Sequence, residues 1–203
     1  IFGEASVAKP YTAPSLFNIS AMSYGALSGP AISALSQGAY QSGIWLNTGE
    51  GGLSPFHQQA PCDLVFQIGT AKYGVRDEQG RLDATKLTEL AAIPEIKMFE
   101  IKLSQGAKPG KGGILPGEKV TEVIASTRGI PAGQDSISPN RHPEVTSVES
   151  LLDLIATVRD VSKKPTGIKF VLGQTQWLDD FCAAIHSRGI DSAPDFITLD
   201  SAD

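Results

Sequence analysis

Residues 97–117 read KMFEIKLSQGAKPGKGGILPG, an apolar stretch that runs into a loop of glycine, proline and lysine. The first seven of these residues are mostly apolar and predict a β-strand. Five glycines and two prolines follow between Gly106 and Gly117, with Lys108 among them. Glycine lets main-chain N–H groups approach a ligand closely and lysine adds a positive charge, so the loop is typical of a carboxylate or phosphate site. Exposed connectors have the same composition, and the loop matches neither the Walker A nor the dinucleotide-binding pattern.

The order of strand, polar loop and helix recurs along the chain. Apolar runs predict the strands, and apolar residues at helical spacing predict the helices. A capping box of Thr146 and Glu149 marks the start of the fourth helix. Alternation of this kind implies parallel pairing of the strands. The predicted strands cover residues 16–22, 44–48, 64–68, 97–103, 167–172 and 195–200, and the predicted helices cover residues 31–39, 83–92, 118–127, 147–158 and 174–188.

This alternation fits both an open doubly wound sheet and a closed barrel. Polar residues gather at the C-terminal end of every predicted strand, and this favours the barrel. In a barrel the functional residues come from the ends of many strands, whereas in an open sheet they lie at one switch point of the strand order. The strand-end residues are Ser23, Asn47, Glu50, Gln67, Lys102, Gln105, Lys169 and Asp200.

Composition and charge argue against several classes of protein. The 203 residues are 41% hydrophobic and 19% charged, which is typical of one globular domain. A net charge of −5 gives no reason to expect a nucleic-acid partner or an anionic membrane. Cys62 and Cys182 have no metal-type spacing, so we expect no zinc site and no iron–sulfur ligands. The stretch contains neither an apolar run of about 18 residues nor a signal peptide, and we expect a cytoplasmic protein.

Six segments carry a resemblance to a known family. The chain resembles the FMN-binding barrel domain of glutamate synthase and its stand-alone relatives. The resemblance implies a TIM-type (β/α)₈ α/β barrel with FMN across its C-terminal face. It also implies that residues 16–203 are the N-terminal part of the barrel, with about six βα units present and the last two missing. Residues 1–15 are of mixed composition and punctuated by proline, which predicts a lead-in segment. The matching segments are 21–25 (AMSYG), 47–52 (NTGEGG), 67–74 (QIGTAKYG), 100–110 (EIKLSQGAKPG), 112–117 (GGILPG) and 137–139 (ISP).

The resemblance implies roles for single residues. Glu50 would stand beside the reacting end of the substrate, where a carboxylate can handle a proton or an ammonium group. Gln67 would donate to the pyrimidine edge of the flavin, and Lys169 would supply charge there and act with Glu50 in catalysis. The implied cofactor-binding residues are Met22, Ser23, Asn47, Thr48, Gln67, Lys102 and Lys169, and the implied substrate-binding residues are Gln105, Lys108, Arg128 and Ser147.

One position departs from the family pattern. The family enzymes carry glutamine in the GGQLPG version of residues 112–117, where this chain has Ile114. An alkyl group in place of an amide removes a hydrogen bond of about 0.5 to 1.5 kcal/mol, which leaves the identity of the substrate open.

The resemblance implies reductive amination as the activity. Reduced FMN would pass a hydride to the 2-imino acid formed from 2-oxoglutarate and ammonia, with an external electron donor. The alternatives are a related FMN barrel that acts on another amino or oxo acid, such as one forming N-alkylglutamate, and a fragment that binds no flavin. We also expect the uncovered barrel edges to favour self-association.

Overall fold

The computed structural model describes residues 1–105 and 112–201, so Lys108 lies outside the described residues. Five parallel strands form a curled sheet, in which they stand side by side in the order in which they occur along the chain. The fold is an incomplete TIM-type barrel, as the sequence predicts. The strands are β1 (Leu46–Asn47), β2 (Leu64–Ile68), β3 (Ile96–Lys102), β6 (Thr166–Phe170) and β7 (Ile197–Leu199), and a separate antiparallel ribbon consists of β4 (Ile114–Leu115) and β5 (Ser136–Ile137).

Helices follow the strands with local signals that explain their ends. Ser28 begins the first helix by accepting a hydrogen bond from Ala31 N, and Gly43 ends it in the left-handed region. No helix in the described ranges is both long and apolar enough to cross a membrane. The helices are α1 (Gly29–Ser42), α2 (Ala84–Ala91), α3 (Glu122–Arg128), α4 (Val148–Ser162) and α5 (Thr175–Arg188).

The start of α4 differs from the prediction by one residue. Ser147, and not Thr146, is the N-cap, and it accepts a hydrogen bond from Ser150 N at 3.2 Å. Ser150 completes the capping box by accepting from the main-chain N–H of both Thr146 and Ser147, each at 2.9 Å. Glu149 therefore does not take the part predicted for it. Ser147 carries a hydroxyl group like Thr146, and Ser150 takes the part expected of Glu149, so the helix begins one residue later than predicted.

Two further elements differ from the prediction. Residues 16–22 form only an isolated parallel bridge, between Ile19 and Leu46. The predicted helix at residues 118–127 is a 3₁₀ turn over Gly117–Lys119 followed by α3. The β4–β5 ribbon was not predicted, because its two strands have two residues each and are too short to show a periodic pattern.

The concave face of the sheet changes from apolar to polar along the strands. Near the N-terminal ends, Val65 and Met98 pack with Tyr11 of the lead-in segment. Further along, Gln67 lies opposite Glu100. At the C-terminal ends Lys102 and Lys169 lie opposite each other, next to the site described below. The convex face packs against the helices through apolar residues that include Phe66, Ile68, Phe99, Ile101, Ile168 and Phe170.

Candidate active site

A cleft of about 470 Å³ lies at the C-terminal ends of the strands. This volume is in the range of about 300 to 1,000 Å³ that holds small ligands and cofactors. The predicted site residues come together here because the carboxyl ends of parallel strands meet on one side of a sheet. Eight of them line the cleft, namely Met22, Ser23, Glu50, Gln67, Lys102, Gln105, Arg128 and Lys169.

Lys102 connects the carboxylate and one amide of this lining. Its ammonium group lies 3.1 Å from Glu50 Oε2 and donates to Gln105 Oε1 at 2.6 Å. The side chains of Lys102 and Glu50 are 11% and 26% exposed, so water screens their attraction only in part. Gln105 has its oxygen held by a cation, and its NH₂ group is therefore the end available to a ligand carboxylate.

Arg128 carries a buried guanidinium at the edge of the cleft. It is 7% exposed, and it donates to Ser136 Oγ at 2.8 Å and to the Tyr24 carbonyl at 3.3 Å. The guanidinium carbon lies 5.0 Å from the centre of the Tyr73 ring, and burial lowers the pKa of Arg128. Its Nε has no hydrogen-bond partner in the described part of the chain, and no carboxylate there pairs with it. The charge of Glu50 acts on Arg128 from beyond ion-pair distance. A buried cation whose direct partners are all neutral favours an anionic ligand.

Gly25 allows this arrangement of Arg128. Its φ is +105°, a region that side chains rarely adopt, and a Cβ there would lie 2.7 Å from Arg128 Nη2. The close approach explains why the AMSYG segment carries glycine beside the cleft.

Gln67 and Asn47 are held from below by Glu100, a buried residue to which the sequence analysis gave no role. Glu100 Oε1 accepts from Gln67 Nε2 at 2.7 Å and from Asn47 Nδ2 at 2.8 Å, and Oε2 accepts from Thr198 Oγ1 at 2.6 Å. The sequence did contain a signal that could have identified Glu100. It is an acidic residue two positions before Lys102, so the two side chains leave the same face of the strand. Among Glu100 and its three partners, only Gln67 lines the cleft.

Asn47 and Thr48 lie under the cleft and not in its wall. Both are buried, and both form hydrogen bonds within the protein. Asn47 Oδ1 accepts from Gly49 N at 2.9 Å, while Thr48 Oγ1 accepts from Gln67 N at 3.1 Å and donates to Gly49 O at 3.0 Å. These contacts fix the main chain that leads into Glu50.

His57 positions Met22 in the cleft wall and was not predicted as a site residue. Ser54 N points at His57 Nδ1 from 3.2 Å, so Nδ1 is the acceptor and Nε2 carries the proton. Nε2 donates to the Met22 carbonyl at 2.8 Å, and Met22 N in turn donates to Asn47 O at 3.1 Å. The ring is fully buried, and this burial lowers the pKa of His57 and keeps it neutral.

The remaining predicted residues are placed as follows. Lys169 lines the cleft, with its ammonium group 3.5 Å from Asp200 Oδ1. Ser147 is exposed, caps α4 and lines a separate pocket of about 260 Å³ with Leu103 and Trp177. The structure therefore does not bring Ser147 into the cleft that holds Gln105 and Arg128.

The lining of the cleft fits the ring system of a flavin. Met22 and Leu115 supply apolar wall, Gln67 supplies an amide, and Lys169 supplies positive charge. A flavin ring has apolar faces and an edge of alternating acceptors and N–H groups, which this set of side chains can satisfy. No group of three or more histidine, cysteine and acidic residues within residues 1–105 and 112–201 is arranged to hold a metal ion.

Comparison with known proteins gives one family and a consistent set of relatives. The family model described as a conserved region in glutamate synthase matches residues 1–203. The glutamate synthase large subunit-like protein YerD of Bacillus subtilis is 40% identical over 204 residues, covering 100% of this chain and 38% of that protein. The archaeal-type glutamate synthase [NADPH] of Thermotoga maritima is 37% identical, covering 89% of this chain and 32% of its own length. The archaeal glutamate synthase [NADPH] of Methanocaldococcus jannaschii is 39% identical, with coverages of 74% and 28%. The chain thus spans about a third of the length of these relatives.

Proposed function

Because this chain belongs to the glutamate synthase family, we propose that its cleft binds FMN and 2-oxoglutarate and supports the reductive amination of 2-oxoglutarate to glutamate. The observation that carries the proposal is Arg128. A guanidinium that is 7% exposed and donates only to neutral groups in the described part of the chain, with Glu50 acting on it from beyond ion-pair distance, is costly unless an anion contacts it directly. A dicarboxylic substrate supplies that anion.

Met22, Ser23, Gln67 and Lys169 would hold the flavin ring, with Asn47 and Thr48 fixing the main chain beneath it. When bound, FMN supplies the hydride that reduces the 2-imino acid formed from 2-oxoglutarate and ammonia. Lys169 places a positive charge at the cleft, where it would stabilise the negative charge that the flavin ring gains on reduction. This is the reason for its proposed catalytic role.

Two cleft residues would orient the substrate carboxylates. Arg128 offers a fork of N–H donors, and Gln105 offers its NH₂ group because Lys102 already occupies its oxygen. Lys108 and Ser147 stay candidates from the family resemblance, Lys108 outside the described residues and Ser147 at the neighbouring pocket. Glu50 lines the cleft 3.1 Å from Lys102 Nζ, where its carboxylate can hold an ammonium ion or move a proton at the imino nitrogen. The electron donor and the source of ammonia would be external to this chain.

Ile114 supports a second candidate, a related flavin enzyme acting on another oxo or amino acid, such as one transferring an alkylamine to glutamate. Its side chain is 68% exposed and lines the cleft. An alkyl group at this point provides apolar surface and no hydrogen bond, which suits a substrate with a less polar group there.

Flavin reduction and reoxidation test the proposal. The full-length protein is purified, its visible absorbance is recorded, and the reduced flavin is mixed anaerobically with 2-oxoglutarate, with and without ammonium. We expect stoichiometric FMN and reoxidation only when both are present. Absence of bound FMN in the purified protein would overturn the cofactor proposal and favour the alternative that the domain binds no flavin. Reoxidation by a different oxo acid, and not by this pair, would favour the second candidate. So would release of ammonium and formation of N-alkylglutamate from glutamate and an alkylamine, a reaction with no net change in the oxidation state of the flavin.

A further inference from the structure

Strand β3 places two opposite charges on the concave face of the sheet. Glu100 and Lys102 are two residues apart, so their side chains leave the same face of the strand. Glu100 is 3% exposed and Lys102 is 9% exposed. A carboxylate only accepts hydrogen bonds and an ammonium group only donates them. Any amide that contacts one of these groups is therefore forced into one orientation.

Each of the two charges holds a glutamine of the cleft. Glu100 Oε1 accepts from Gln67 Nε2 at 2.7 Å, and Lys102 Nζ donates to Gln105 Oε1 at 2.6 Å. Gln67 thus has its nitrogen end held below the cleft, while Gln105 has its oxygen end held. Among the described residues, no donor reaches Gln67 Oε1, and Gln67 lines the cleft.

The burial of Glu100 strengthens this constraint. Glu100 forms no ion pair with a cation of the described chain, and its three partners Asn47, Gln67 and Thr198 are all neutral donors. A buried carboxylate cannot give up such donors without a large desolvation cost. A rotation of the Gln67 amide would turn its oxygen toward Glu100 and is excluded for the same reason.

We infer that Glu100 is a positioning residue that turns the carbonyl oxygen of Gln67 into the cleft, while Lys102 turns the NH₂ group of Gln105 into it. The inference rests on the proposed function for the identity of the ligands. The NH₂ group of Gln105 can then donate to a carboxylate of the ligand. Gln67 Oε1 can accept from an N–H group flanked by carbonyls, which is the pattern of the imide edge of a flavin. Under this inference Gln67 Oε1 accepts from the N–H of that edge, whereas the family resemblance implies Gln67 as a donor there.

A flavin analogue tests the orientation of Gln67. The dissociation constants of FMN and of FMN methylated at its imide nitrogen are measured by fluorescence titration of the full-length protein. The wild type is expected to prefer FMN, since the methylated analogue has no N–H to donate. In Glu100→Gln the Gln67 amide is free to rotate, so FMN binding weakens about two- to twelvefold, the value of one neutral hydrogen bond, and the preference shrinks by a similar factor.

Two variants separate positioning from folding. Gln67→Leu removes the acceptor itself and is expected to lose the preference, and adding Glu100→Gln to it has no further effect on the preference. Thr198→Val removes a donor to the other oxygen of Glu100 and leaves the Gln67 contact in place. It is expected to lower stability and to keep the preference for FMN. Circular dichroism establishes that each variant is folded.

The outcomes are distinct. A folded Glu100→Gln protein with the wild-type preference overturns the inference and leaves the proposed function standing. If the wild type binds no flavin, the proposed function fails and the imide assignment fails with it. The orienting role is then decided by ¹⁵N spectra of the glutamine side chains. A Gln67 NH₂ signal that moves in Glu100→Gln supports the role, and one that does not move overturns it.

Discussion

Lys102 Nζ lies 3.1 Å from Glu50 Oε2 and joins a loop carboxylate to the end of a central strand. We expect this partly buried pair to couple by about 1 kcal/mol in the free energy of unfolding. A double-mutant cycle with Glu50→Gln and Lys102→Met, followed by urea denaturation, measures the coupling. The matched control is the exposed pair Arg188 and Asp153, for which about 0.2 to 0.5 kcal/mol is expected. Equal coupling in both pairs would show that the cleft does not shield the first one.

Arg128→Lys is expected to raise the KM for the oxo-acid substrate about tenfold to a hundredfold, with flavin affinity unchanged within about twofold. A charged hydrogen bond contributes about 1.5 to 3 kcal/mol, and lysine cannot reproduce the two-pronged contact of arginine. Steady-state kinetics and flavin titration give the two quantities.

Arg76→Lys is the control for this substitution. Arg76 also lies against the Tyr73 ring, at 5.8 Å, but it lines a different pocket. We expect it to leave KM unchanged. An equal rise in KM in both variants would mean that support of Tyr73, and not contact with the substrate, explains the effect of Arg128.

The sequence predicts which residues lie at the C-terminal ends of the strands better than it predicts the contacts between side chains of different strands. Strand β2 has the predicted bounds, because a short, mainly apolar run between polar segments marks both of its ends. The gathering of Glu50 and Gln67 follows from parallel pairing, whereas Arg128 reaches the cleft from the end of α3 and was expected only from the family resemblance. Glu100 could not be assigned a role, since its partners Asn47 and Thr198 lie 53 and 98 positions away in the chain. Similarly, the separation of Ser147 from the cleft depends on where α4 begins, a choice between two adjacent hydroxyl residues.

His57 makes stability depend on pH. Burial lowers the pKa of His57 below its ordinary value of 6.5. Between the lowered pKa and pH 6.5, His57 is therefore protonated in the unfolded chain and neutral in the folded chain. The contribution of His57 is complete above pH 6.5 and is lost as pH falls from there through the lowered pKa. We expect the free energy of unfolding to decrease over this window, measured by urea denaturation at several pH values. His57→Gln is expected to flatten part of the slope, and the buried His142, whose pKa is also lowered, accounts for a further part. An unchanged slope in both variants would contradict the assignment.

The edge of β7 is expected to make the chain self-associate. β7 pairs with β6 alone in the described sheet, and Ile197 and Leu199 are 46% and 62% exposed. Light scattering of the isolated 203-residue chain at increasing concentration is expected to give a mass above that of one chain. Leu199→Lys places a charge on the edge and lowers the mass, whereas Val123→Lys on α3 is the control and leaves it unchanged. A single-chain mass at every concentration would contradict the prediction.

Ile114→Gln tests whether this residue sets the choice of substrate. The side chain lines the cleft, and glutamine there adds a donor that can reach a carboxylate or carbonyl of the substrate. One such hydrogen bond contributes about 0.5 to 1.5 kcal/mol, so we expect kcat/KM for 2-oxoglutarate to rise about two- to twelvefold relative to less polar oxo acids. Ile137 pairs with Ile114 across the β4–β5 ribbon and is 61% exposed, yet it does not line the cleft. Ile137→Gln changes the ribbon by the same chemistry and is expected to leave the preference unchanged. If both variants shift it equally, the ribbon and not the side chain at position 114 determines the substrate.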